Sequence, residues 1–477
     1  MAIGMGPIGP GRNRPARGEV GRWQQPVRTQ GEGTAAVSAA DEPSSETTAG
    51  RRTSPTPPHP LRTRVPVRLT ASVRATGEQH RVTNLELFFD LVFVFAFTQV
   101  NALVAADASG RGALRGILLI AILWWAWCSY AWLGNQARAD EGMLRATMIV
   151  AMAAVFAASL AVPEAWHDRP GGLPGPMVLA VAIVVVRSLH LLVYAVAAGS
   201  DAGLRRQLAR NAAPMLVMAM LLVLGALADG AHRTLLWLVA LAVDYSGVYL
   251  VGASGWRMPA PGHFSERHGL IVLVALGESI VSVGVGAERA SVSWPILLIM
   301  GLGLAVNVAL WWAYFDVVAL VAERALHART GVQRIWLARA SYTYLHFPLV
   351  VGVLTTALAL KLLVEDLTEP EHSLTDVPPT LPAVCLALGP ALYLVGLSAI
   401  RWRNLGRPNV GRLVAAALLL ALVPALLAMP VLGSLGLVTA VLAGLIGFEA
   451  VHNQSVRDTV RHHDDHPAIA AAPVSEP

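Results

Sequence analysis

The residues best able to do chemistry in this chain are ionisable side chains inside long apolar segments. Glu278 stands in such a segment, with Gly277 before it and Ser282 one helical turn after it. A carboxylate in the hydrocarbon core costs about 2.5–3.5 kcal/mol, and binding a proton or a cation removes that cost. The glycine is expected to allow close backbone approach or local unwinding. Glu278 is therefore the leading candidate for a functional site.

A second acidic stripe occurs in the first apolar segment. Glu86 and Asp90 are one helical turn apart, and Asn101 follows close to three turns later, so all three share one helix face. Aromatic residues surround them, and this face is expected to point away from lipid. Asp90 is interpreted either as a proton or cation site or as part of a structural ion pair. Glu86 lies nearer the end of the segment, which favours a structural role.

A basic group lies near the middle of the fourth apolar segment. Arg187 and His190 share a helix face, and the guanidinium of Arg187 cannot lose its charge. It needs a carboxylate, which Asp90, Asp244 or Glu278 could supply. The pair would then either fix the helix register or belong to a functional centre. His190 could titrate near neutral pH or simply be hydrogen-bonded.

Three more polar residues fall inside later apolar segments. Asp244 lies midway along the sixth, Asn307 in the eighth and His346 in the ninth. Pro348 follows His346 and is expected to kink the helix and free a carbonyl. Each of the three is interpreted either as a pore-lining residue or as a polar contact between helices.

The composition explains where these residues must sit. The chain of 477 residues is 55% hydrophobic and only 14% charged, against about 25% charged in a soluble domain. We therefore predict an all-α, polytopic bundle of about 12 transmembrane helices. The predicted spans are 85–106, 114–134, 143–163, 177–198, 212–229, 234–252, 268–286, 295–320, 341–363, 381–400, 411–429 and 431–450. Because the last two are short and flank Pro430, a re-entrant hairpin is an alternative for them.

Arginines concentrate in alternate loops between these spans. The loops after the second, fourth, sixth, eighth and tenth spans contain Arg138, Arg145, Arg205, Arg206, Arg210, Arg257, Arg267, Arg324, Arg329, Arg334, Arg339, Arg401, Arg403, Arg407 and Arg412. The other loops contain fewer basic residues. Positively charged loops stay on the cytoplasmic side, which predicts that both termini are cytoplasmic.

A weak internal repeat suggests two six-helix halves in parallel orientation. The second span has an isoleucine-leucine run before Trp124 and Trp125, and the eighth has a similar run before Trp311 and Trp312. Asp90 and Glu278 stand at nearly equivalent places in the first and seventh spans. Repeats of this kind recur in transporters.

The remainder of the chain carries no recognisable catalytic signature. Residues 1–80, rich in Pro, Gly, Ser and Arg, predict a disordered cytoplasmic extension, and 456–477 predict a disordered tail, around a membrane domain of 81–455. The tail histidines are interpreted as solvated rather than as a metal site. No nucleotide-binding, zinc-protease or hydrolase motif is present. We predict no enzyme activity, no cofactor, no metal and no nucleic-acid partner.

Several motifs resemble the bacterial low temperature requirement A (LtrA) family. The most specific are the stretch from Asn84 to Phe95 and the stretch from Ala275 to Ile280. Supporting matches are Trp124 to Trp127, Ala139 to Glu141 with Arg145, Arg187 with Leu189 and His190, and Glu266 to Leu270. The resemblance spans about residues 80–450. It implies an inner-membrane protein with a link to growth in the cold, and it supplies no substrate.

Two classes of function remain after these observations. The first is a transporter or channel-like protein, proton- or cation-coupled, that contacts the bilayer and passes a small ion or solute, with Glu278, Asp90 and Arg187 at its centre. The second is a non-transporting protein that senses or supports the stressed bilayer, with structural buried charges. An intramembrane enzyme acting on lipid is a weaker alternative, since the polar groups are predicted at mid-depth.

Overall fold

The computed structural model describes residues 77, 80–140, 142–288, 291–369 and 371–452, and these form helices joined by short loops. Most of the predicted extension, 1–80, and the whole predicted tail, 456–477, lie outside the described residues. The helices are α1 (Asn84–Ala106), α2 (Gly110–Gln136), α3 (Gly142–Ala161), a 3₁₀ turn (Val162–Glu164), α4 (Gly175–Ala197), α5 (Ala202–Leu227), α6 (Gly230–Val251), α7 (Pro261–Gly286), α8 (Trp294–Phe315), α9 (Val318–His327), α10 (Gly331–Leu337), a π-helix (Ala338–Tyr344), α11 (Phe347–Asp366), α12 (Thr380–Leu405), α13 (Val410–Ala421), α14 (Val423–Leu426) and α15 (Val431–His452).

Local sequence signals set the ends of these helices. Thr83 and Glu86 form a capping box at the start of α1, and the Asp201 side chain caps the start of α5. Gly406, with a φ of 74°, ends α12 in the left-handed conformation that glycine adopts without strain. Between such signals the apolar runs continue for a full membrane thickness, and their backbone groups are paired within the helix, as the hydrocarbon core requires.

Eleven helical segments among the described residues are long and apolar enough to cross a membrane. The twelfth predicted span, 411–429, is formed by the shorter α13 and α14. Val431 N donates to Asp376 O over 2.9 Å, so the turn before α15 lies beside the loop that precedes α12. Asn409, at the start of α13, follows the other end of α12. The chain therefore runs the full length of α12 between Asn409 and Val431, which favours a crossing over a re-entrant hairpin.

Both ends of the described chain lie on one face of the bundle. Hydrogen bonds tie the two ends and the intervening loops of this face together. These join Val82 to Glu266 (3.2 Å), Arg334 to Met258 (3.3 Å), Ser341 to Asn404 (2.7 Å) and Asn409 to Glu449 (2.8 Å). An even number of crossings has this consequence, as the loop arginines predicted.

The two halves of the bundle pack in the same order. In the first half, α1 packs against α2 and α3, α3 against α4, and α4 against α5. In the second half, α7 packs against α8 and α11, α11 against α12, and α12 against α13. The contact of α2 with α6 likewise corresponds to that of α8 with α15. This correspondence is what a parallel repeat of two six-helix halves requires.

Close backbone approach occurs at glycines other than the one predicted. A Cβ on Gly389 of α12 would lie 2.7 Å from the Thr356 backbone nitrogen and 2.8 Å from the Gly352 oxygen of α11. Gly277 and Gly284 have no atom within 4 Å of the corresponding position, and α7 is continuous from Pro261 to Gly286. The predicted close approach or unwinding beside Glu278 is therefore wrong, because Gly277 faces away from the neighbouring helices.

The loop assignment of three buried arginines is also wrong. Arg412 lies within α13 and is 4% exposed. Arg267 lies within α7 and is 0% exposed, while Arg339 lies within the π-helix and is 3% exposed. The spans that contain Arg267 and Arg339 begin several residues earlier than predicted, because polar residues in their first turns are buried against other helices. The predicted break at Pro348 is confirmed: the π-helix ends at Tyr344 and α11 begins at Phe347.

Candidate functional site

Polar side chains link α1 and α7 at three levels of the bundle. The pairs are Glu86 with His263 (3.0 Å), Asp90 with Arg267 (2.9 Å) and Asn101 with Glu278 (3.2 Å). The partners in each pair are 177 residues apart in the chain. A constant separation means that α1 and α7 lie side by side, parallel and in register. We call these paired side chains the α1–α7 polar ladder.

The first level of the ladder lies at the start of both helices. Glu86 Oε2 accepts from Thr83 N over 2.9 Å, and His263 Nε2 lies 3.0 Å from Glu86 Oε1. The His80 ring lies 4.9 Å from the His263 ring, tilted by 34°. His80, Glu86 and His263 each place a possible metal-ligand atom within 4.8 Å of the others. Burial, and then the neighbouring His263, lower the pKa of His80 from its ordinary value, so this imidazole is neutral at neutral pH.

The second level is a buried ion pair. Arg267 Nη2 donates to Asp90 Oδ1 over 2.9 Å, and Trp127 Nε1 donates to the same oxygen over 2.7 Å. The guanidinium also lies 5.5 Å above the Trp127 ring. Asp90 and Arg267 neutralise each other away from solvent. This arrangement matches the structural interpretation of Asp90 and does not need a bound ion.

The third level holds a carboxylate whose hydrogen-bond partners are neutral. Ser282 Oγ donates to Glu278 Oε1 over 2.5 Å, and Asn101 Nδ2 lies 3.2 and 3.4 Å from the two Glu278 oxygens. Glu278 is 0% exposed. Among the residues that the structure describes, no arginine or lysine lies within ion-pair distance of this carboxylate. Glu278 is thus unlike Asp90, which has a cation beside it.

Asp90 and Glu278 lie at different depths. Glu278 is level with Asn101, which is eleven residues beyond Asp90 in α1. At a rise of about 1.5 Å per residue, the two carboxylates are separated by about 16 Å along the helix pair. Asp90 and Glu278 therefore form separate polar contacts. Their nearly equivalent places in the first and seventh spans do not make them neighbours in the structure.

Arg187 forms a third, separate cluster. Its Nη2 donates to Asp244 Oδ2 over 2.7 Å, and its Nη1 donates to Ser129 Oγ. Of the three carboxylates that could have paired with Arg187, the structure selects Asp244. His190 packs between the rings of Tyr130 and Tyr194, with centroid distances of 6.1 and 5.4 Å.

A cavity lies beside Arg187, between α2, α4, α5, α6 and the π-helix. Its empty space is about 680 Å³, including the part that opens to the surroundings. Its basic lining residues are Arg187, His190 and Arg339, and most of the remaining wall is aromatic or aliphatic. The π-helix brings Arg339, Thr343 and Tyr344 to this wall. Segments of π-helix are rare and occur frequently at functional sites.

Asn307 and His346 lie apart from both the ladder and the cavity. Asn307 Nδ2 donates to Gly303 O within α8 over 3.0 Å. His346 contacts the Tyr314 hydroxyl at 2.9 Å and the Ser341 carbonyl at 2.8 Å. His346 therefore joins its segment to α8, the second of the interpretations given for it, whereas the hydrogen bond of Asn307 stays within its own helix. Near the break before Pro348, the Thr343 carbonyl accepts a hydrogen bond from Trp124 Nε1 over 2.8 Å.

The sequence interpretation missed several members of these clusters. His263, Arg267 and Arg339 were assigned to loops, and Trp256 was not predicted as a site residue. The motif containing Arg267 and His268 was present as a supporting match. The separation of 177 residues that relates Glu86, Asp90 and Asn101 to three polar residues of α7 was also present in the sequence, but only the structure shows that these residues are paired.

The fold and these buried polar contacts define a multi-pass α-helical membrane protein. The chain belongs to the family described as bacterial low temperature requirement A protein (LtrA), whose profile matches residues 81–447. Since the match covers most of the chain, it confirms the resemblance drawn from the motifs of α1 and α7.

One relative comes from Rhizobium meliloti (strain 1021) and is named only as an uncharacterized protein. It is 31% identical to this chain over 296 residues, which are 59% of this chain and 69% of the relative. No solved structure matches the chain.

Proposed function

We propose that the protein is a transporter or channel-like protein, coupled to protons or cations, in which the α1–α7 polar ladder is the coupling element. The observation that carries this proposal is the environment of Glu278. Its carboxylate is buried at depth and is held by Asn101 and Ser282, both neutral. An ion that binds and leaves this carboxylate changes its charge, as a coupling site requires.

The energetic contrast with Asp90 supports this assignment. An ionised group in the membrane interior is costly unless it is paired. Arg267 neutralises the charge of Asp90. At Glu278, a bound proton or cation would neutralise the carboxylate instead. Ser282 and Asn101 then orient the carboxylate in both states. The parallel α1 and α7, equivalent helices of the two halves, place the ladder where the halves meet.

We further propose an inner-membrane location with both termini in the cytoplasm. The common face of the two described ends, together with the loop arginines, supports this orientation. The name of the family supports a link to growth in the cold or under stress. We also propose that the protein has no enzyme activity and acts on a small ion or solute without a cofactor.

Proton flux into proteoliposomes tests the proposed coupling role. The wild type, Glu278→Gln and the control Glu288→Gln are reconstituted with a pH-sensitive dye inside the vesicles, and a pH gradient is applied with different monovalent cations present. Glu288 is exposed just beyond the end of α7. Glu288→Gln therefore removes one carboxylate, as Glu278→Gln does, but leaves the α1–α7 polar ladder unchanged. We expect Glu278→Gln to lose flux while the control retains it.

The proposal fails if folded Glu278→Gln, judged by size-exclusion chromatography, carries wild-type flux. It also fails if the wild type carries no proton or cation flux under any gradient.

The alternative is a non-transporting protein that supports the bilayer with structural charges. The ion pairs of Asp90 with Arg267 and of Arg187 with Asp244 favour it, because each charge is already neutralised inside the bundle. Under this alternative, replacing both members of a pair by leucine leaves growth in the cold unchanged. Loss of cold growth in a folded double variant would argue against it.

A further inference from the structure

The cavity beside Arg187 has an unbalanced positive charge. Arg187 and Arg339 line it, and no carboxylate does so among the described residues. Arg187 is paired with Asp244. Arg339 donates to the carbonyls of Val248 and Gly252, over 3.2 and 2.8 Å, and has no carboxylate within ion-pair distance in the described part of the chain. A buried guanidinium satisfied only by carbonyls keeps its full charge, so the cavity favours an anion.

Unpartnered hydrogen-bond donors point to the same chemistry. Arg187 Nε, Trp125 Nε1 and Trp256 Nε1 are buried lining groups without a hydrogen-bond partner among the described residues. Arg187 is 7% and Trp125 6% exposed. Each of these groups can only donate. Two further groups of the same wall are unpartnered in the described part of the chain: Asn211 Oδ1, which accepts, and His190 Nδ1, which donates or accepts according to its tautomer. Buried polar groups are normally satisfied, so this set of donors indicates a missing acceptor.

The rest of the wall is suited to an apolar body. Trp125 and Trp132 supply aromatic faces, and Leu191, Leu208 and Met215 supply aliphatic surface. A small inorganic anion would leave this surface without a partner. A ligand with one anionic end and an apolar remainder would use both parts of the wall, as ligand pockets usually do.

We propose that this cavity binds an amphiphilic organic anion, with a carboxylate held by Arg187, Arg339 and the indole N–H groups, and an apolar body against the aromatic wall. The π-helix positions Arg339 for this contact, since it carries Arg339 and Tyr344 to the cavity on neighbouring turns.

Trp256 indicates the route by which the anion enters. It lines this cavity and also a second one, of about 1020 Å³ of empty space, whose wall includes Arg334 and the ion pair of Arg257 with Asp201. The Arg339 guanidinium lies 5.6 Å above the Trp256 ring. Trp256 therefore separates the inner cavity from an outer one, in which Arg334 is the basic residue without an ion-pair partner among the described residues, and rotation of the Trp256 side chain would join the two.

The same carboxylate chemistry has two sources, the fatty acids of the bilayer and aromatic carboxylates dissolved in water. Binding is inferred from the cavity alone, and only the identification of this anion as a transported solute rests on the proposed function. Binding and flux are therefore measured separately, so that failure of one does not imply failure of the other.

Calorimetric titration of the full chain in zwitterionic nanodiscs tests the site. The probes are 2-naphthoate, its neutral isostere 2-naphthamide, and dodecanoate. We expect 2-naphthoate to bind at least about tenfold more tightly than the amide, the ratio expected when a charged contact contributes about 1.4 kcal/mol. We expect Arg339→Gln to remove this preference. Arg233→Gln is the matched control, since Arg233 is also buried and donates to backbone carbonyls, at the opposite end of α6.

Trp125→Phe is a second test variant, which can be measured even if Arg339→Gln does not fold. It removes one indole donor while keeping a ring stacked 3.8 Å from Tyr245, and we expect it to weaken naphthoate and spare the amide. Tighter dodecanoate than naphthoate assigns the source to the bilayer, the reverse assigns it to the aqueous phase, and either supports the site. Equal binding of the naphthoate and the amide, or an unchanged preference in folded Arg339→Gln and Trp125→Phe, would overturn the proposal.

Discussion

At the scale of single residues, the environment separates two carboxylates that look alike in the sequence. Asp90 and Glu278 both stand in apolar helices and are both buried. Arg267 and Trp127 donate to Asp90, whereas Asn101 and Ser282 hold Glu278. The first carboxylate therefore belongs to the framework of the bundle, and the second is the candidate for binding an exchangeable ion.

Replacing one member of the Asp90–Arg267 pair is predicted to destabilise the protein strongly, whereas replacing both members is predicted to destabilise it much less. Asp90→Leu or Arg267→Leu leaves one buried charge unpaired, which we expect to lower the free energy of unfolding by about 3–5 kcal/mol. The double variant leaves no charge and is expected to lose much less than the sum. Denaturation by SDS titration from mild detergent measures all three variants, and additive losses would contradict the ion pair.

The sequence predicted some of these residues and missed others for one physical reason. Glu278 with Ser282 and Arg187 with Asp244 stand in the middle of apolar runs, where a charge is conspicuous. Arg267 and Arg339 lie near the ends of their spans, where hydropathy cannot distinguish a loop from the first turns of a helix. Only tertiary packing shows that both are buried.

At the scale of helices, two membrane-spanning segments are interrupted, one before Pro348 and one before Pro424. The π-helix before Pro348 turns Arg339 and Tyr344 to the cavity. The break between α13 and α14 is at Leu422, two residues before Pro424, within a crossing that the sequence left open. Pro348 was recognisable as a break, but a π-helix has no sequence signature as simple as a proline.

The crossing of α11 and α12 supplies a prediction at this scale. Gly389→Ala would place a Cβ 2.4 Å from Thr356 Oγ1 and 2.7 Å from the Thr356 nitrogen. The backbones must separate, which we expect to lower the free energy of unfolding by about 1–3 kcal/mol. Gly277→Ala is the matched control, since nothing lies within 4 Å of its added Cβ. Equal stability of the two variants in the SDS titration would refute the close contact.

At the scale of the whole molecule, hydropathy and loop charge predicted most of the architecture. The helical class and the common face of the two described ends agree with the sequence interpretation, and eleven described helical segments are long and apolar enough to cross, against about twelve predicted spans. The pairing of helices in space did not follow from it, since hydropathy carries no information on which helices are neighbours. The register of α1 and α7 was recognised only from the structure, although the paired residues are all 177 positions apart in the sequence.

Labelling of introduced cysteines is predicted to show which face of the bundle is cytoplasmic. Gly172 and Ser200 are exposed in the loops before and after α4. The native Cys128 and Cys385 are buried and should not interfere. A membrane-impermeant maleimide applied to intact cells should label Gly172→Cys, and should label Ser200→Cys only after permeabilisation. The reverse pattern would show that the proposed orientation is inverted.

The central claim is that Glu278 is the ion-binding group of a transporter and not a structural carboxylate. Dicyclohexylcarbodiimide tests this claim, because it reacts with protonated carboxyl groups in apolar surroundings. On one proteoliposome sample, mass spectrometry measures the modified fraction of Glu278, and the proton flux is measured alongside. We predict that flux falls in proportion to the fraction of Glu278 modified. Full modification of Glu278 with undiminished flux, or loss of flux while Glu278 stays unmodified, would contradict the claim.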